Sequence, residues 1–216
     1  MTRPDLVIFD CDGVLVDSEP LTNDLLQRDL AARGLPLSPD RIDRLFTGGT
    51  MAGVGETARE MGADIPPGWV EGFYETMYAR LAEGTPLIDG VAAALDRLDV
   101  AGIPYAVGSN GSERKMRITL GQHPAIWARL RDRLYSAHTY GIAKPDPGLF
   151  LRAAADAGVP PDRCAVIDDS PSGCTAGLRA GMRTLGFAAH GQGPRLAALG
   201  AEVFRSMADL PRLLAL

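Results

Sequence analysis

The chain has 216 residues, 46% of them apolar and 23% charged, and its 22 Lys and Arg against 27 Asp and Glu give a formal net charge of −5. This composition is typical of a globular protein and excludes a disordered or fibrous chain. The acidic excess and the lack of a Lys/Arg-rich stripe argue against nucleic acid or a membrane surface as a partner.

The N-terminal residues and the cysteines provide information on the cellular location of the protein. Residues 1–5 run directly into an apolar segment, so a signal peptide is not indicated. No apolar run is long enough to cross a bilayer. The three cysteines have neither an even number nor CxxC spacing, which argues against a disulfide framework or a zinc site. We therefore expect a cytoplasmic protein, and we expect it to be a monomer.

Short apolar runs alternate with helical periodicity along most of the chain. The first run, residues 6–9, predicts a strand that is buried on both faces. Further strands are predicted at residues 105–107, 134–137, 164–167 and 184–187 and near Val203, with helical segments between them. Strands that alternate with helices are typical of βαβ units, so we expect an α/β fold with a Rossmann-like parallel sheet.

The block between the first two strands has helical periodicity only. Leu25, Leu26 and Leu30 lie at helical spacing, and Gly34 and Pro36 end that helix. No strand pattern follows before Leu87. We therefore predict a catalytic core formed by residues 1–16 and 86–216, interrupted by an all-helical domain at residues 17–85.

Polar side chains cluster where the predicted strands end. Ligands of an open parallel sheet bind outside the carboxyl ends of its strands, so we expect these side chains to meet at one edge. Several carboxylates at one place repel each other unless a cation lies among them, and Mg²⁺ prefers oxygen ligands together with substrate phosphate. The cluster therefore implies both a metal and a phosphate. Its members are Asp10, Asp12, Ser109, Asn110, Lys144, Asp168 and Asp169.

The order of these residues resembles a known family. Asp10-x-Asp12-Gly13-Val14, Ser109-Asn110-Gly111, Lys144-Pro145 and Asp168-Asp169 are similar to the four motifs of the haloacid dehalogenase (HAD) superfamily. The segment from Asp10 to Glu19 resembles the beta-phosphoglucomutase-like branch, in which a helical cap is inserted after the first motif. The helical block fits that cap.

The resemblance implies stepwise phosphoryl transfer. Asp10 would attack the substrate phosphorus and form an aspartyl phosphate, and Asp12 would protonate the leaving group and then deprotonate water. Mg²⁺ would be held by Asp10, the main-chain carbonyl of Asp12 and Asp169, with Asp168 either a ligand or the partner of one.

The phosphoryl group itself would be bound by other motif residues. Ser109 and Lys144 would clamp it, and the main-chain N–H of Asn110 is a further donor. Within the insert, Gly49 and Thr50 are candidate substrate contacts, because neighbouring glycines bring the backbone close to a ligand and hydroxyls flank them. Lys115 is interpreted chiefly as a solvated surface charge, with contact to a second anionic group as the alternative.

Two features of the sequence narrow the range of expected reactions. The dehalogenases of the superfamily lack the second aspartate, so Asp12 favours phosphate chemistry. The mutases of the similar branch carry a cap histidine shortly after the first motif, and residues 19–23 contain none. We therefore predict a Mg²⁺-dependent phosphatase acting on a small phosphorylated metabolite such as a sugar phosphate or a phosphogluconate-like acid. A phosphosugar mutase is the alternative, followed by a nucleotide monophosphatase.

Two other protein classes compete with an enzyme of this kind. A signalling receiver domain also combines aspartates, a hydroxyl residue and a lysine on a parallel sheet, but it carries the acidic pair at the first strand and lacks such an insert. A binding module without activity would be expected to have lost at least one motif residue, and none is missing.

Overall fold

The computed structural model describes residues 3–46, 50–189 and 191–216. The strands are β1 (Leu6–Phe9), β2 (Tyr105–Ser109), β3 (Leu134–Ser136), β4 (Cys164–Asp168), β5 (Arg183–Phe187) and β6 (Glu202–Phe204). The first six α-helices are α1 (Glu19–Ala32), α2 (Pro39–Phe46), α3 (Met51–Glu60), α4 (Trp69–Ala82), α5 (Val91–Ala101) and α6 (Glu113–Leu120). The others are α7 (Pro124–Leu130), α8 (Ala137–Tyr140), α9 (Gly148–Asp156), α10 (Pro171–Arg179), α11 (Gly193–Leu199) and α12 (Leu210–Leu213).

The chain divides into two compact units. One contains the segment up to Asp17 and everything from Pro86 onwards, and the other is Ser18–Thr85. Among the described residues, the second unit contains helices and no strand. No helix in the described part of the chain is both long enough and apolar enough to cross a membrane.

The first unit is built on a six-stranded sheet in the order β3-β2-β1-β4-β5-β6. Every pairing in it is parallel. The four residues of β1 are all buried, as expected for a central strand with helices on both faces of the sheet. These observations confirm the predicted Rossmann-like α/β fold.

The residues of β1 alternate between two hydrophobic clusters. Val7 and Phe9 belong to one cluster and Leu6 and Ile8 to the other. Successive side chains of a strand point to opposite faces, so the two clusters lie on the two sides of the sheet. The continuous apolar run in the sequence is therefore explained by burial on both faces.

The strand order places a crevice at the centre of the sheet. β1 pairs with β2 on one side and with β4 on the other. The order along the sheet reverses at β1, and such a switch point is where open parallel sheets bind ligands beyond the carboxyl ends of their strands. The residues that follow β1, β2 and β4 are therefore brought together.

The helical unit has its own core. Trp69, Phe73, Met77 and Leu81 are buried along α4 at intervals of four residues, which puts them on one face of the helix. Trp69 also donates its indole N–H to the Asp29 carboxylate on α1 over 2.6 Å. This bond satisfies the polar group of an otherwise buried ring.

The close packing of α10 on the sheet gives a stability prediction. A Cβ at Gly177 would lie 2.6 Å from Thr184 Oγ1 and 3.1 Å from Val166 Cβ. We expect Gly177→Ala to lower the free energy of unfolding by about 1–3 kcal/mol through overpacking. Urea denaturation followed by circular dichroism measures this change.

Gly72→Ala is the matched control. Gly72 lies inside α4 with nothing within 4 Å of the added carbon, so we expect the free energy of unfolding to rise by about 0.5–1 kcal/mol. A Gly177→Ala protein as stable as the unchanged one would contradict the packing described here.

Candidate active site

Asp10 lies directly beyond the end of β1. Its main-chain N–H donates to the carbonyl of Ile167 on β4 over 2.8 Å, which continues the pairing of the two strands past Phe9. Its side chain is buried and accepts a hydrogen bond of 2.8 Å from Lys144 Nζ. The first motif carboxylate is therefore held at the centre of the crevice.

Lys144 bridges two carboxylates in the interior. Its Nζ lies 2.8 Å from Asp10 Oδ1 and 2.8 Å from Asp168 Oδ2, with side-chain exposures of 2%, 11% and 0% for the three residues. The ammonium also lies 5.1 Å from the centre of the Phe150 ring. A single buried cation thus joins the ends of β1 and β4, where the unpaired charges would be costly.

The position of Lys144 depends on Asn110, which follows β2. The main-chain N–H of Lys144 donates to Asn110 Oδ1 over 2.8 Å, and Asn110 Nδ2 donates to the carbonyl of Lys144 over 3.3 Å. The side chain of Asn110 is therefore engaged with backbone, and its main-chain N–H is the group left for the expected phosphate contact.

Both oxygens of Asp168 are engaged with protein donors. Oδ2 accepts from Lys144, while Oδ1 accepts from the main-chain N–H of Ser170 over 2.9 Å and from its hydroxyl over 2.7 Å. Ser170 also accepts from the N–H of Gly173 and so caps α10. The beginning of this helix therefore fixes the orientation of Asp168.

Two glycines leave room for the acidic pair. A Cβ at Gly173 would overlap with the carboxylate of Asp168, and one at Gly13 would overlap with that of Asp169. Gly13 also has a φ of +74°, a conformation that other residues rarely adopt. The glycine of the first motif is thus required both by the backbone and by the close approach of Asp169.

Three carboxylates come together at this edge of the sheet. Asp10, Asp168 and Asp169 each offer an oxygen, and these oxygens lie within 4.8 Å of one another. Such a cluster of hard oxygen donors fits a divalent cation such as Mg²⁺. Asp12 is expected to bind the metal through its main-chain carbonyl. Its side-chain carboxylate is not part of this group of oxygens.

Asp12 instead pairs with Lys115 on α6. Lys115 Nζ lies 2.9 Å from Asp12 Oδ1, and the two side chains are 15% and 19% exposed. Burial lowers the pKa of Lys115, but the charge of Asp12, its hydrogen bond with Lys115 and the electrostatic effects of Cys11 and Asp10 together outweigh burial and hold the pKa above its usual value. The interpretation of Lys115 as a solvated surface charge is therefore wrong. One feature of the sequence does single out Lys115, because Lys115 and Lys144 are its only lysines.

Ser109 is the last residue of β2. Its side chain is buried, and its Oγ accepts from the main-chain N–H of Gly111 over 3.0 Å. The hydroxyl proton can still be donated, so the residue is suited to bind a phosphoryl oxygen.

Burial and neighbouring charges both shift the pKa values of Asp10 and Lys144. Burial raises the pKa of Asp10, the charge of Lys144 opposes that shift, and the charges of Asp168 and Asp12 add to it. Burial lowers the pKa of Lys144, but Asp10 and Asp168 outweigh it, so its pKa lies above the usual value. Lys144 is therefore a permanent cation at neutral pH.

The cysteines offer no competing nucleophile. All three are buried and free. Burial raises the pKa of Cys11, which lies between the first two motif aspartates, and raises that of Cys174 to about 12. Thiols held protonated in this way are poor nucleophiles.

The substrate contacts expected in the insert belong to the helical unit. Thr50 is the N-cap of α3, and its Oγ1 accepts from the N–H of Gly53 over 3.2 Å. This bond gives Thr50 a structural role that its sequence position did not reveal. Gly49 lies outside the described residues.

Comparisons with known proteins cover nearly the whole chain. A family model described as haloacid dehalogenase-like hydrolase matches residues 4–181. The 6-phosphogluconate phosphatase of Escherichia coli (strain K12) is 29% identical over 99% of this chain and 96% of its own length.

Two solved structures extend this likeness to the fold. A haloacid dehalogenase-like protein of unknown function from Agrobacterium tumefaciens str. C58 is 34% identical, with a TM-score of 0.87 over 98% of this chain and 97% of its own. A HAD family hydrolase from Deinococcus radiodurans R1, solved with bound phosphate and sodium, is also 34% identical, with a TM-score of 0.83 over 100% of this chain and 96% of its own. The likeness therefore includes both compact units.

The contact between Asn110 and Lys144 gives a prediction on the assembly of the site. We expect Asn110→Ala to lower the free energy of unfolding by about 1–3 kcal/mol. The substitution removes the two hydrogen bonds that the Asn110 side chain makes with the main-chain N–H and carbonyl of Lys144. Urea denaturation measures the change. Gln122→Ala, which removes one exposed hydrogen bond to the carbonyl of Ile118, should change the stability far less. Equal effects of the two substitutions would contradict a positioning role for Asn110.

Proposed function

Because this chain belongs to the haloacid dehalogenase-like hydrolase family, we propose that it is a Mg²⁺-dependent phosphatase that hydrolyses a small phosphate monoester through an aspartyl phosphate on Asp10. The observation that carries the proposal is the meeting of Asp10, Asp168 and Asp169 beside the buried ammonium of Lys144. Acidic ligands for a metal and a cation for a phosphoryl group are what this chemistry requires.

Asp10, Asp169 and the main-chain carbonyl of Asp12 are the proposed metal ligands. Asp168 is given a different role, because both of its oxygens already accept hydrogen bonds from Lys144 and Ser170. It holds Lys144 in place and adds negative charge near the metal. When bound, Mg²⁺ supplies positive charge that offsets the charge of the transferring phosphoryl group.

In the first half of the reaction, a carboxylate oxygen of Asp10 bonds to the substrate phosphorus. The bond between phosphorus and the leaving oxygen breaks, and Asp12 gives that oxygen the proton that it took from water in the preceding turnover, so the product leaves as an alcohol. Lys144, which pairs with both Asp10 and Asp168, holds Asp10 in position for the attack.

In the second half, water hydrolyses the aspartyl phosphate. Asp12, now a carboxylate, takes a proton from the water while the water oxygen bonds to phosphorus. The bond between phosphorus and Asp10 breaks, which releases inorganic phosphate and restores the free carboxylate of Asp10. The hydroxyl of Ser109, the main-chain N–H of Asn110 and the ammonium of Lys144 are the proposed donors to phosphoryl oxygens throughout.

A sugar phosphate or a phosphogluconate-like acid is the proposed substrate class. The 6-phosphogluconate phosphatase matched above supports this class, since the similarity spans nearly all of both chains. The phosphate bound in the Deinococcus radiodurans relative supports phosphate chemistry in the family. The absence of histidine from residues 19–23 favours hydrolysis over the phosphosugar mutase reaction.

The helical unit, Ser18–Thr85, is proposed to act as the cap that sets selectivity, with Gly49 and Thr50 among its substrate contacts. Support comes from the relatives, whose matches include this unit as well as the sheet.

Removal of the nucleophile tests the proposal. We expect Asp10→Asn to lower phosphate release by at least about a thousandfold, because an amide cannot form the intermediate. Phosphate release with Mg²⁺ from a panel of sugar phosphates, phosphorylated sugar acids and nucleotide monophosphates measures this loss. Asp5→Asn is the control, since Asp5 pairs with Arg163 at the surface, where both side chains are 49% exposed. A wild-type protein that releases no phosphate from the panel, or an active Asp10→Asn protein, would refute the proposal.

The metal site predicts a change in stability on binding. With Mg²⁺ at a hundredfold its dissociation constant, the free energy of unfolding should rise by about 2.7 kcal/mol. Asp169→Asn should abolish this gain, because the amide offers the metal no charged ligand. Asp162→Asn, a change at an exposed residue, should keep the full gain. Thermal unfolding with and without Mg²⁺ makes the comparison, and an undiminished gain in Asp169→Asn would contradict the assignment.

A further inference from the structure

Lys115 is placed beside Asp12 by the local structure that follows β2. Ser112 caps α6 by accepting from the N–H of Lys115 over 3.1 Å, so the helix begins only a few residues after β2 ends at Ser109. Lys115 consequently lies in the first turn, where its side chain reaches back to Asp12. The resulting distance of 2.9 Å joins two side chains that are both largely buried.

The loop leaves no free room for a side chain at position 111 beside this ion pair. A Cβ at Gly111 would lie 3.3 Å from Asp12 Oδ2 and 3.6 Å from Lys115 Cδ. A side chain at position 111 would therefore press on the carboxylate of Asp12 and touch the stem of Lys115 at once. The glycine leaves the Asp12–Lys115 pair undisturbed.

The choice of lysine at this position is informative. Of the 22 basic residues, 20 are Arg and two are Lys, and those two are Lys115 and Lys144. Each is buried against an aspartate of the first motif. An ammonium is a compact point charge, whereas the planar guanidinium of arginine is larger and has a fixed fork of donors. A confined site beside one carboxylate oxygen therefore suits lysine.

We propose that Lys115 is a positioning residue for Asp12, holding its carboxylate in the orientation that accepts a proton from the water that hydrolyses the aspartyl phosphate. The inference rests on the proposed function and assigns one of its steps. The water O–H breaks, its proton goes to Asp12, the water oxygen bonds to phosphorus, and the bond from phosphorus to Asp10 breaks. Lys115 transfers no proton in this step.

A chromogenic substrate separates this step from the one before it. The p-nitrophenolate of p-nitrophenyl phosphate leaves readily without a proton from the protein, so formation of the aspartyl phosphate stays fast when Asp12 is misplaced. Only the hydrolysis of the intermediate then slows. Stopped-flow measurement of p-nitrophenol release with Mg²⁺ should therefore show a burst for Lys115→Met of close to one product per active site. Wild type should show no such burst.

Steady-state rates give the second readout. We expect Lys115→Met to lower kcat by about tenfold to a hundredfold, the usual effect of losing a residue that orients a reacting group. KM should fall by a similar factor and kcat/KM should stay nearly constant, because the aspartyl phosphate accumulates and kcat/KM reports only its formation. Lys115→Arg, which keeps the charge but not the shape, should recover part of the loss. Arg117→Met removes a positive charge at an exposed position of the same helix and should leave kcat unchanged.

A double-mutant cycle tests whether Lys115 acts through Asp12. In an Asp12→Asn protein, the further change Lys115→Met should have no effect on kcat, because the group it positions is already gone. An equal loss from Lys115→Met in both backgrounds would overturn the inference. So would a raised KM at unchanged kcat, which indicates a substrate contact instead, or a full rate for Lys115→Met.

Circular dichroism and thermal unfolding establish that each variant is folded. Lys115→Gln is a second uncharged variant, subject to the same expectations, if Lys115→Met does not fold. A wild-type protein inactive on p-nitrophenyl phosphate and on every other phosphomonoester would refute the proposed function and this inference together. An active wild type with normal Lys115→Met and Lys115→Gln proteins would refute the inference alone.

Discussion

The rest of the site depends on the two ion pairs that Lys144 makes with Asp10 and Asp168. Asp10 and Asp168 stand at the ends of adjacent strands, and the pairing of β1 with β4 forces their carboxylates together. A single buried ammonium 2.8 Å from each offsets the two charges. Asp169 adds a third carboxylate within 4.8 Å, so the cluster keeps a negative excess. That excess is what makes the site suitable for a divalent cation, and the cation in turn makes it suitable for a phosphate ester.

The surrounding fold contributes mainly by fixing positions. The switch in strand order at β1 opens the crevice, and the side chain of Asn110 holds the backbone of Lys144 from the neighbouring strand end. Gly13 and Gly173 provide space for the acidic pair that any side chain would take up. The acidic net charge of the whole chain therefore says little about the local field, because Lys144 and Lys115 supply positive charge where a phosphate would bind. Groups held this firmly need not reorganise during a reaction.

Much of this arrangement was predictable from the sequence, for definite reasons. Residues 6–9 form a continuous apolar run because β1 is buried on both faces, and strand ends meet at one edge in any parallel sheet. The short helices α7 and α8 gave no periodic signal, since seven and four residues are too few to show one. The roles of the Asn110 side chain and of Lys115 depend on loop paths that bring distant residues into contact. Periodicity carries no information about such paths, and only the rarity of lysine pointed to Lys115.

The central claim is that Asp10 carries the phosphoryl group between substrate and water. Its most direct test is acid quenching of the Asp12→Asn protein after mixing with Mg²⁺ and p-nitrophenyl phosphate, whose leaving group needs no proton from Asp12, followed by peptide mapping in a mass spectrometer. Because the second half of the reaction is slowed in this variant, we predict a phosphoryl group on the peptide that contains Asp10, and none when Asp10→Asn is added. A phosphoryl group on another residue, or no phosphorylated peptide from a protein whose wild type turns the substrate over, would contradict the account.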